Sequence, residues 1–450
     1  MTEPVPSSPD QPSQIQALPP GTSLRIRRPG GETWEGWLLP RESSSDPEVV
    51  HVKLRSGYNV GLRLVPGSEV EVRPGPLWGR TGEPGEAQPG GELPRAGGGP
   101  PITLLTTGGT IASRVDYESG GVKPVRDVSG IAGSYPGLLE GGPVAVRSVL
   151  DMLSEDIGPR EWELLAQEVS QSFHAGARGV VVSHGTDTLA YTAAALQFQL
   201  PFLPGPVVLV GAQRSIDRPS SDGVSNLLGA ARVAREADLG EVVVVMHAGL
   251  GDGPLAIHRA TRVRKMHATR RDAFRSLNES PLGGLEGTSG PIRLRPDAKP
   301  RSSEPMEIRT GFSPDAALAW VHPGLSLARL ERYTQGVRGV VLAATGMGHV
   351  PVPLLEWIQR SVREGMFVGV TTQCLEGMVD PYVYVRGREL QRSGATFLGD
   401  LSPETAYVKL SWLLHRTSDP ELLSRRMAEN LAGEISPRRE VHKSPESGAP

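Results

Sequence analysis

Length, charge and cysteine content limit what this chain can be. Its 450 residues allow two or three domains with sizeable hydrophobic cores. The 47 basic and 50 acidic residues give a net charge of −3, so the chain lacks a general nucleic-acid-binding character, and an RNA would need a local patch or a partner. The single cysteine, Cys374, excludes an internal disulfide, fits a reducing cytoplasm and is expected to be a small buried side chain.

The amino-terminal region divides by composition. Residues 1 to 18 are rich in Pro, Ser and Gln and predict a disordered tail. Residues 19 to 73 contain short alternating runs separated by Gly, Pro and Ser clusters, which predicts a small all-β barrel domain. Gly or Pro occupies more than half of the positions from 74 to 100, so this stretch predicts a linker. No apolar stretch is long enough for a membrane span, and we expect no signal peptide.

From residue 101 onward, strand patterns alternate with helical patterns. Near-continuous apolar runs such as GVVVSH and EVVVVMHA are typical of strands buried on both faces of a parallel sheet. The predicted fold class is therefore α/β, with two parallel-sheet parts at residues 101 to 304 and 305 to 418. Residues 281 to 304 predict a surface excursion because they are rich in Gly, Pro and Arg. Residues 419 to 450 predict a charged tail that begins with a short helix.

Two predicted strands end in strings that contain threonine. Residues 106 to 117 read TTGGTIASRVDY and place Thr110 just after a strand. Open parallel sheets bind ligands at that end of a strand, and glycines let backbone N–H groups approach an oxyanion closely. Residues 179 to 189 read GVVVSHGTDTL and place Thr186 and Asp187 at a second such position. On the residues alone, the first string is equally typical of a tight turn.

Lys265 is the candidate base for these threonines. A threonine hydroxyl is unreactive at neutral pH, and a lysine whose neutral form is favoured by burial can activate it. Lys265 lies in the basic run RVRKMHATRRDAF. Such a run is usually a solvated face and less often an anion site, so both interpretations stay open at this point.

The strings TGGTIA and HGTDTL, with RKMHATRRDAFRS downstream, resemble the L-asparaginase/glutaminase family of threonine amidohydrolases. The string SED at residues 154 to 156 and the full form of the other motifs resemble one branch more closely, the D subunits of archaeal-type glutamyl-tRNA(Gln) amidotransferases. The resemblance covers about residues 20 to 415. It implies an asparaginase-like fold of two parallel-sheet parts preceded by the all-β domain, which simple asparaginases lack.

The resemblance implies a catalytic set. It makes Thr110 the nucleophile that attacks a side-chain amide, and it makes Tyr117 a residue of a lid that orients the nucleophile. Thr186 and Lys265 correspond to a second cluster that prepares the attacking water, in which Asp187 either holds Lys265 charged or binds the substrate amine. The spacing of the two threonines does not decide which of them attacks.

The resemblance also implies substrate contacts at Ser154 and Glu155, which match positions that hold the α-carboxylate and the α-amine. Glu155 departs from stand-alone asparaginases, where this residue is usually Gln. An additional acid beside Asp187 would strengthen the binding of an ammonium group. Ser154 has a second interpretation as the cap of the helix that follows it.

The expected function is glutamine hydrolysis that releases ammonia for a partner. The resemblance implies an E-type subunit that binds glutamyl-tRNA(Gln) and uses ATP and Mg²⁺, with no cofactor in this chain, and it implies a homodimer in the cytoplasm. Glutamine or asparagine is the expected substrate. The alternative is a free-standing asparaginase or glutaminase with an accessory β domain; a non-catalytic scaffold is disfavoured because the catalytic set is intact.

Other motifs predict no additional chemistry. The glycine string in AGLGDGP, residues 248 to 254, is followed by proline rather than by an apolar helix, so it predicts a loop and not a dinucleotide site. His247, His258 and His267 lack the spacing of metal ligands, and we expect no metal site. The G-x-S-x-G pattern of serine hydrolases does not occur.

Overall fold

A computed structural model describes most of the chain. The described residues are 12–39, 46, 48–54, 59–73, 97–108, 113–115, 122–124, 135, 137–214, 221–251 and 253–437. Residues 1–11 and 438–450 of the predicted tails and residues 74–96 of the predicted linker lie outside this set. Thr110 and Tyr117 also lie outside it.

The amino-terminal region forms one antiparallel sheet with the strand order β4-β3-β2-β1-β5. Its strands are β1 (Ser23–Arg27), β2 (Thr33–Leu38), β3 (Val49–Leu54), β4 (Asn59–Arg63) and β5 (Glu69–Val72). Alternate side chains point inward, so that Leu24, Ile26 and Val50 are buried in a shared core. The predicted all-β character of this region is confirmed.

A short helix, α1 (Pro12–Gln16), precedes this sheet and corrects the predicted tail. Ile15 and Leu18 are buried in the core of the β region, at 0% and 8% exposed. Two apolar side chains are enough to anchor the segment, but averaging composition over residues 1 to 18 conceals them. Residues 12 to 18 therefore belong to the folded β region.

The first half of the α/β part is built on an eight-stranded sheet with the order β17-β16-β13-β12-β11-β10-β6-β9. Its strands are β6 (Ile102–Thr106), β9 (Val144–Ser148), β10 (Val180–Ser183), β11 (Val207–Val210), β12 (Val242–His247), β13 (Leu255–Arg259), β16 (Gly283–Leu285) and β17 (Ile292–Leu294). The five strands that are neighbours in the order β9-β6-β10-β11-β12 are parallel. At the other edge, β13, β16 and β17 pair antiparallel. Their apolar residues form one core, as the near-continuous apolar runs predict.

Three helices pack against this sheet: α2 (Pro159–His174), α3 (Leu189–Gln199) and α4 (Gly223–Glu236). Helix α2 starts with proline at its first position, and the Glu161 carboxylate accepts a hydrogen bond from the backbone N–H of Gly158 at 3.0 Å. Two small hairpins complete the half, β7 (Ser113–Val115) with β8 (Val122–Pro124), and β14 (Val263–Lys265) with β15 (Phe274–Ser276).

The segment at residues 281 to 304 differs from its prediction as a surface excursion. Strands β16 and β17 lie within it and extend the main sheet. Each is only three residues long, which is too short to show a recognisable alternation in the sequence.

The second half contains a four-stranded parallel sheet with the order β18-β19-β20-β21. Its strands are β18 (Ala316–Trp320), β19 (Gly339–Ala344), β20 (Phe367–Thr372) and β21 (Thr396–Phe397). Its helices are α5 (Leu327–Tyr333), α6 (Pro353–Arg363), α7 (Val385–Arg392), α8 (Pro403–Leu414) and α9 (Pro420–Ala428). Among the described residues, no helix is long and apolar enough to cross a membrane.

The carboxyl-terminal segment also corrects a prediction. Up to residue 437 it is folded, and Lys409 and Glu434 form an ion pair at 2.6 Å with both side chains 0% exposed. The carbonyl oxygen of Ala432 accepts a hydrogen bond from the Thr261 hydroxyl at 3.1 Å, and that of Gly433 accepts one from Arg262 at 2.8 Å. The many charges of this segment predict a solvated tail, but Glu434 has a buried partner and backbone carbonyls of the segment bond to the first half.

Candidate active site

The two threonine-containing strings follow neighbouring strands. β6 and β10 are parallel and hydrogen-bonded, with Thr106 opposite Ser183, so the chain leaves both strands at the same edge of the sheet. The hydroxyl of Thr107 donates a hydrogen bond to the carbonyl oxygen of Ser183 at 3.0 Å. Thr110, three residues beyond Thr107, lies outside the described residues, as does Tyr117.

Gly108 brings the end of β6 close to a third loop. Its φ of +95° lies in the left-handed region, and a Cβ atom at this position would lie 2.6 Å from the carbonyl oxygen of Met152. Glycine is therefore required here for both conformation and space. The loop that it approaches carries the predicted substrate-binding residues at 154 and 155.

Ser154 is buried at the start of a single 3-10 turn, Ser154–Asp156. Its hydroxyl donates a long hydrogen bond to the carboxylate of the exposed Glu155 at 3.4 Å, and its carbonyl oxygen accepts one from the hydroxyl of Thr188. Helix α2 is preceded by Gly158 as its N-cap residue, so Ser154 is not the cap of that helix. The structure thus brings Ser154 and Glu155 beside the loop of the HGTDTL string.

Lys265 reaches the same loop from β14. Its amine donates hydrogen bonds to the hydroxyl oxygen of Thr186 at 2.8 Å and to the carboxylate of Asp187 at 2.7 Å. The Lys265 side chain is 14% exposed, whereas that of Asp187 is 70% exposed. Lys265 therefore does not belong to a solvated basic face, and its amine is held between a hydroxyl and a carboxylate.

The neighbouring arginines of the basic run have other partners. Arg262 pairs with Asp400 at 2.8 Å, and Arg264 pairs with Glu404 at 3.0 Å. Both acidic residues belong to the second half, so these two arginines attach β14 and the turn before it to that half. Lys265 is thus carried on a strand that is fixed from both halves.

Sequence reasoning missed several residues of this arrangement. Thr188 ends the loop that carries Thr186 and anchors it to Ser154, and a Cβ atom at Gly185 would lie 2.7 Å from the Cβ atom of Ser154. His184 begins the loop, is buried and donates to the backbone within it. All three lie inside the HGTDTL string, so position in the motif was the available signal.

Two further observations concern the exposure of Cys374 and the arrangement of residue types that bind metals. Cys374 is exposed, contrary to the expectation of a buried side chain, because it lies beyond Thr372, the last residue of β20. Within the described part of the chain, no group of three or more His, Cys, Asp or Glu residues is arranged to hold a metal ion.

The chain matches three family models. They are described as "Asparaginase, N-terminal" over residues 101–298, "Glutaminase/Asparaginase C-terminal domain" over residues 317–427 and "GatD N-terminal domain" over residues 18–72. Among solved structures, the thermostable L-asparaginase from Thermococcus kodakarensis matches with a TM-score of 0.68 at 32% identity, covering 75% of this chain and 99% of that protein. Fold and arrangement therefore define an asparaginase-like protein.

Full-length relatives narrow this class. The D subunit of the glutamyl-tRNA(Gln) amidotransferase of Thermofilum pendens is 40% identical over 94% of this chain and 94% of its own length. The protein of the same name from Methanopyrus kandleri is 44% identical over 92% of this chain and 91% of its own length. The chain belongs to the family of glutamyl-tRNA(Gln) amidotransferase D subunits, within the asparaginase class.

Proposed function

We propose that this chain is the glutamine-hydrolysing subunit of a tRNA-dependent amidotransferase. It removes the side-chain amide of glutamine as ammonia, and a partner subunit uses that ammonia to amidate the glutamyl group of glutamyl-tRNA(Gln). One observation carries the proposal: the asparaginase fold is joined to an all-β region that matches the GatD N-terminal domain, in a chain that aligns over 94% of its length with an amidotransferase D subunit. A free-standing asparaginase leaves that β region unexplained.

In the proposed mechanism Thr110 is the nucleophile. Its hydroxyl oxygen attacks the amide carbonyl carbon of glutamine, and a tetrahedral oxyanion forms. The C–N bond then breaks, the nitrogen takes up a proton and leaves as ammonia, and water hydrolyses the resulting ester to glutamate. The pairing of β6 with β10 supports this role, since it places Thr107 against Ser183, three residues before Thr186.

Thr186, Lys265 and Asp187 are proposed to move protons and to bind the substrate amine. The Lys265 amine donates to both neighbours, the Thr186 hydroxyl oxygen at 2.8 Å and the Asp187 carboxylate at 2.7 Å. To act as a base, Lys265 must first lose a proton. The substrate's ammonium group is proposed to bind Asp187 and so to compete with Lys265 for the carboxylate.

Ser154, Glu155 and Tyr117 are proposed to bind and orient glutamine. The Ser154 hydroxyl suits the α-carboxylate because it can donate a hydrogen bond, and the exposed Glu155 suits the α-ammonium group. Tyr117 is proposed to cover the site after binding.

The partner assignments extend the proposal. An E-type subunit is proposed to bind glutamyl-tRNA(Gln), ATP and Mg²⁺, while this chain carries no cofactor and pairs with a second copy of itself in the cytoplasm. The near-neutral charge balance of 47 basic and 50 acidic residues is consistent with a chain that meets tRNA through a partner.

Ammonia release tests the function directly. The purified chain is assayed with glutamine and with asparagine, alone and with the E-type subunit and glutamyl-tRNA(Gln). We expect glutamine hydrolysis to rise at least about tenfold in the complete mixture, because an amidotransferase couples ammonia release to its acceptor. Rapid asparagine hydrolysis by the chain alone, unchanged by partner and tRNA, would contradict the proposal and support the free-standing amidohydrolase.

A further inference from the structure

The loop that carries Thr186 contains a glycine, Gly185, whose backbone torsion angles are not restrained by a side chain of its own. Gly185 has no room for a side chain, since a Cβ atom there would lie 2.7 Å from the Cβ atom and 2.9 Å from the hydroxyl oxygen of Ser154. Glycine allows the widest range of backbone torsion angles of any residue type, and Gly185 directly precedes Thr186. A site that depends on the distance between Thr186 and Lys265 therefore needs something else to fix the peptide bond between residues 185 and 186.

The His184 side chain restrains that peptide bond. Its Nδ1 atom lies 2.7 Å from the carbonyl oxygen of Gly185, and its Nε2 atom lies 2.9 Å from the hydroxyl of Thr192 in α3. That hydroxyl oxygen also accepts a hydrogen bond from the indole N–H of Trp162 in α2 at 3.0 Å. The ring is thus tied to two helices and to the loop.

The direction of every hydrogen bond in this network is determined. A carbonyl oxygen only accepts, so the ring proton must be on Nδ1 of His184. The unprotonated Nε2 atom then accepts from the Thr192 hydroxyl, whose oxygen is left to accept from Trp162. Burial lowers the pKa of His184 to about 4, so the ring is neutral at pH 7 and keeps this single arrangement.

We propose that His184 is a positioning residue for the amidohydrolase reaction, and that its Nδ1–H bond to the Gly185 carbonyl holds Thr186 at the distance from Lys265 that the chemical step requires. The inference rests on the proposed function of the Thr186–Lys265 pair. It adds a residue that does not contact substrate and that acts through the peptide plane before Thr186.

This role predicts a particular kinetic pattern. Loss of the restraint changes the relative position of Thr186 and Lys265, which lowers kcat. Ser154 and Asp187 are held by other contacts, at Thr188 and Lys265, so KM for glutamine changes little. A histidine that serves only as core packing would instead lower thermal stability and leave kcat per folded molecule unchanged.

Two substitutions separate the two ring nitrogens. His184→Asn places an amide nitrogen where Nδ1 was and can still donate to Gly185, whereas His184→Gln places its amide near the Nε2 position and loses that donor. Activity is measured as ammonia release by the full chain with its partner, together with Tm. We expect kcat to fall about tenfold or more in His184→Gln and to stay within about threefold in His184→Asn, with KM within about twofold in both. Equal kcat in the two variants would overturn the proposal.

His258 provides a matched control. Like His184, it is buried, at 2% exposed, and its ring contacts one hydroxyl. Here the contact is made by Nδ1, which lies 2.9 Å from the hydroxyl of Ser276. His258→Gln should lower Tm without changing kcat. Lys265→Met distinguishes the two levels of failure: full activity in Lys265→Met contradicts the proposed function, whereas inactive Lys265→Met with fully active His184→Gln contradicts only the positioning role.

Discussion

Both halves of the α/β part carry threonines at or shortly after the end of a strand, but the hydroxyls have different partners. At the end of β20, the hydroxyls of Thr371 and Thr372 donate to the backbone carbonyl oxygens of Leu401 and Gly346. In the first half, the hydroxyl oxygen of Thr186 accepts a hydrogen bond from the amine of Lys265 at 2.8 Å. Threonines at or shortly after a strand end are therefore found in both halves, and contact with an ionisable side chain distinguishes Thr186, one of the two threonines that we assign to catalysis.

The difference follows from topology. The second sheet supplies its strand end with carbonyl acceptors from loops 26 and 30 residues away in the chain, so each hydroxyl fixes a loop to the end of β20. In the first half, β14 lies beside the loop at residues 184 to 188, and this strand carries Lys265. Among Thr186, Thr371 and Thr372, the one that contacts a charged group is therefore the one approached by a separate element, β14.

Substitution of Thr186 and of Thr372 by valine is the test of this comparison with the largest expected effect. Valine keeps the approximate shape of threonine and replaces the hydroxyl by a methyl group. Thr186→Val should lower kcat for ammonia release by roughly 10²-fold or more, since it removes the partner of Lys265 in proton transfer. Thr372→Val should leave kcat unchanged and lower the free energy of unfolding by about 1–2 kcal/mol, because the carbonyl of Gly346 loses its donor.

The measurements are steady-state ammonia release and urea unfolding of each variant. A Thr372→Val protein that folds but has lost glutamine hydrolysis would show that the second half supplies more than structure. Unchanged kcat in Thr186→Val would remove the chemical distinction between the two threonines.

The buried ion pair of the second half tests its structural role. Glu434→Gln leaves the Lys409 ammonium group buried without its carboxylate, and we expect a loss of about 3 kcal/mol in the free energy of unfolding. Glu429→Gln is the control, because the side-chain pair of Glu429 with Arg426 is exposed and should contribute less than about 1 kcal/mol. Equal effects of the two substitutions, measured by urea unfolding, would show that the carboxyl-terminal segment is not anchored by this pair.

Acid gives a smaller effect that originates in the first half. Burial lowers the pKa of His184 to about 4, and burial together with the charge of Arg275 lowers that of His258 to about 3. Both values lie below the ordinary value of 6.5, so between that pH and the folded pKa the unfolded chain binds protons that the folded chain does not. The free energy of unfolding should therefore fall as the pH is lowered from 7 to 5.

The control for this pH dependence is His258→Gln, which removes one of the two groups and should make the decline shallower. Urea unfolding at several pH values provides the measurement. An identical slope in the variant and the parent would show that the neutral state of His258 does not contribute.

Much of the framework could be predicted from local patterns. Apolar runs such as GVVVSH are confirmed as strands of a parallel sheet, and the all-β character of the amino-terminal region is confirmed. The proximity of the two strings follows from the rule that parallel strands place their carboxyl ends at one edge, and the pairing of β6 with β10 agrees with it.

The remaining features depend on partners distant in sequence. The link from His184 to Thr192 and Trp162 requires two helices to be placed correctly, which no local spacing reveals. The sequence around Glu434 does not distinguish it from an exposed charge, because its buried partner Lys409 lies earlier in the chain, in α8. For Thr110 and Tyr117 the roles stay predictions, because both lie outside the described residues.

The attachment of the carboxyl-terminal segment has a consequence for the order of events during synthesis. Thr261 and Arg262, just ahead of the strand that carries Lys265, bond to residues that the ribosome adds 171 to 174 positions later. Domains generally fold as they emerge, with amino-terminal parts first. The first sheet can therefore assemble early, but the turn before Lys265 obtains these partners only after residues 432 to 436 have been added. A nascent chain would then be held back from releasing ammonia until the segment that contains residues 432 to 436 has been made.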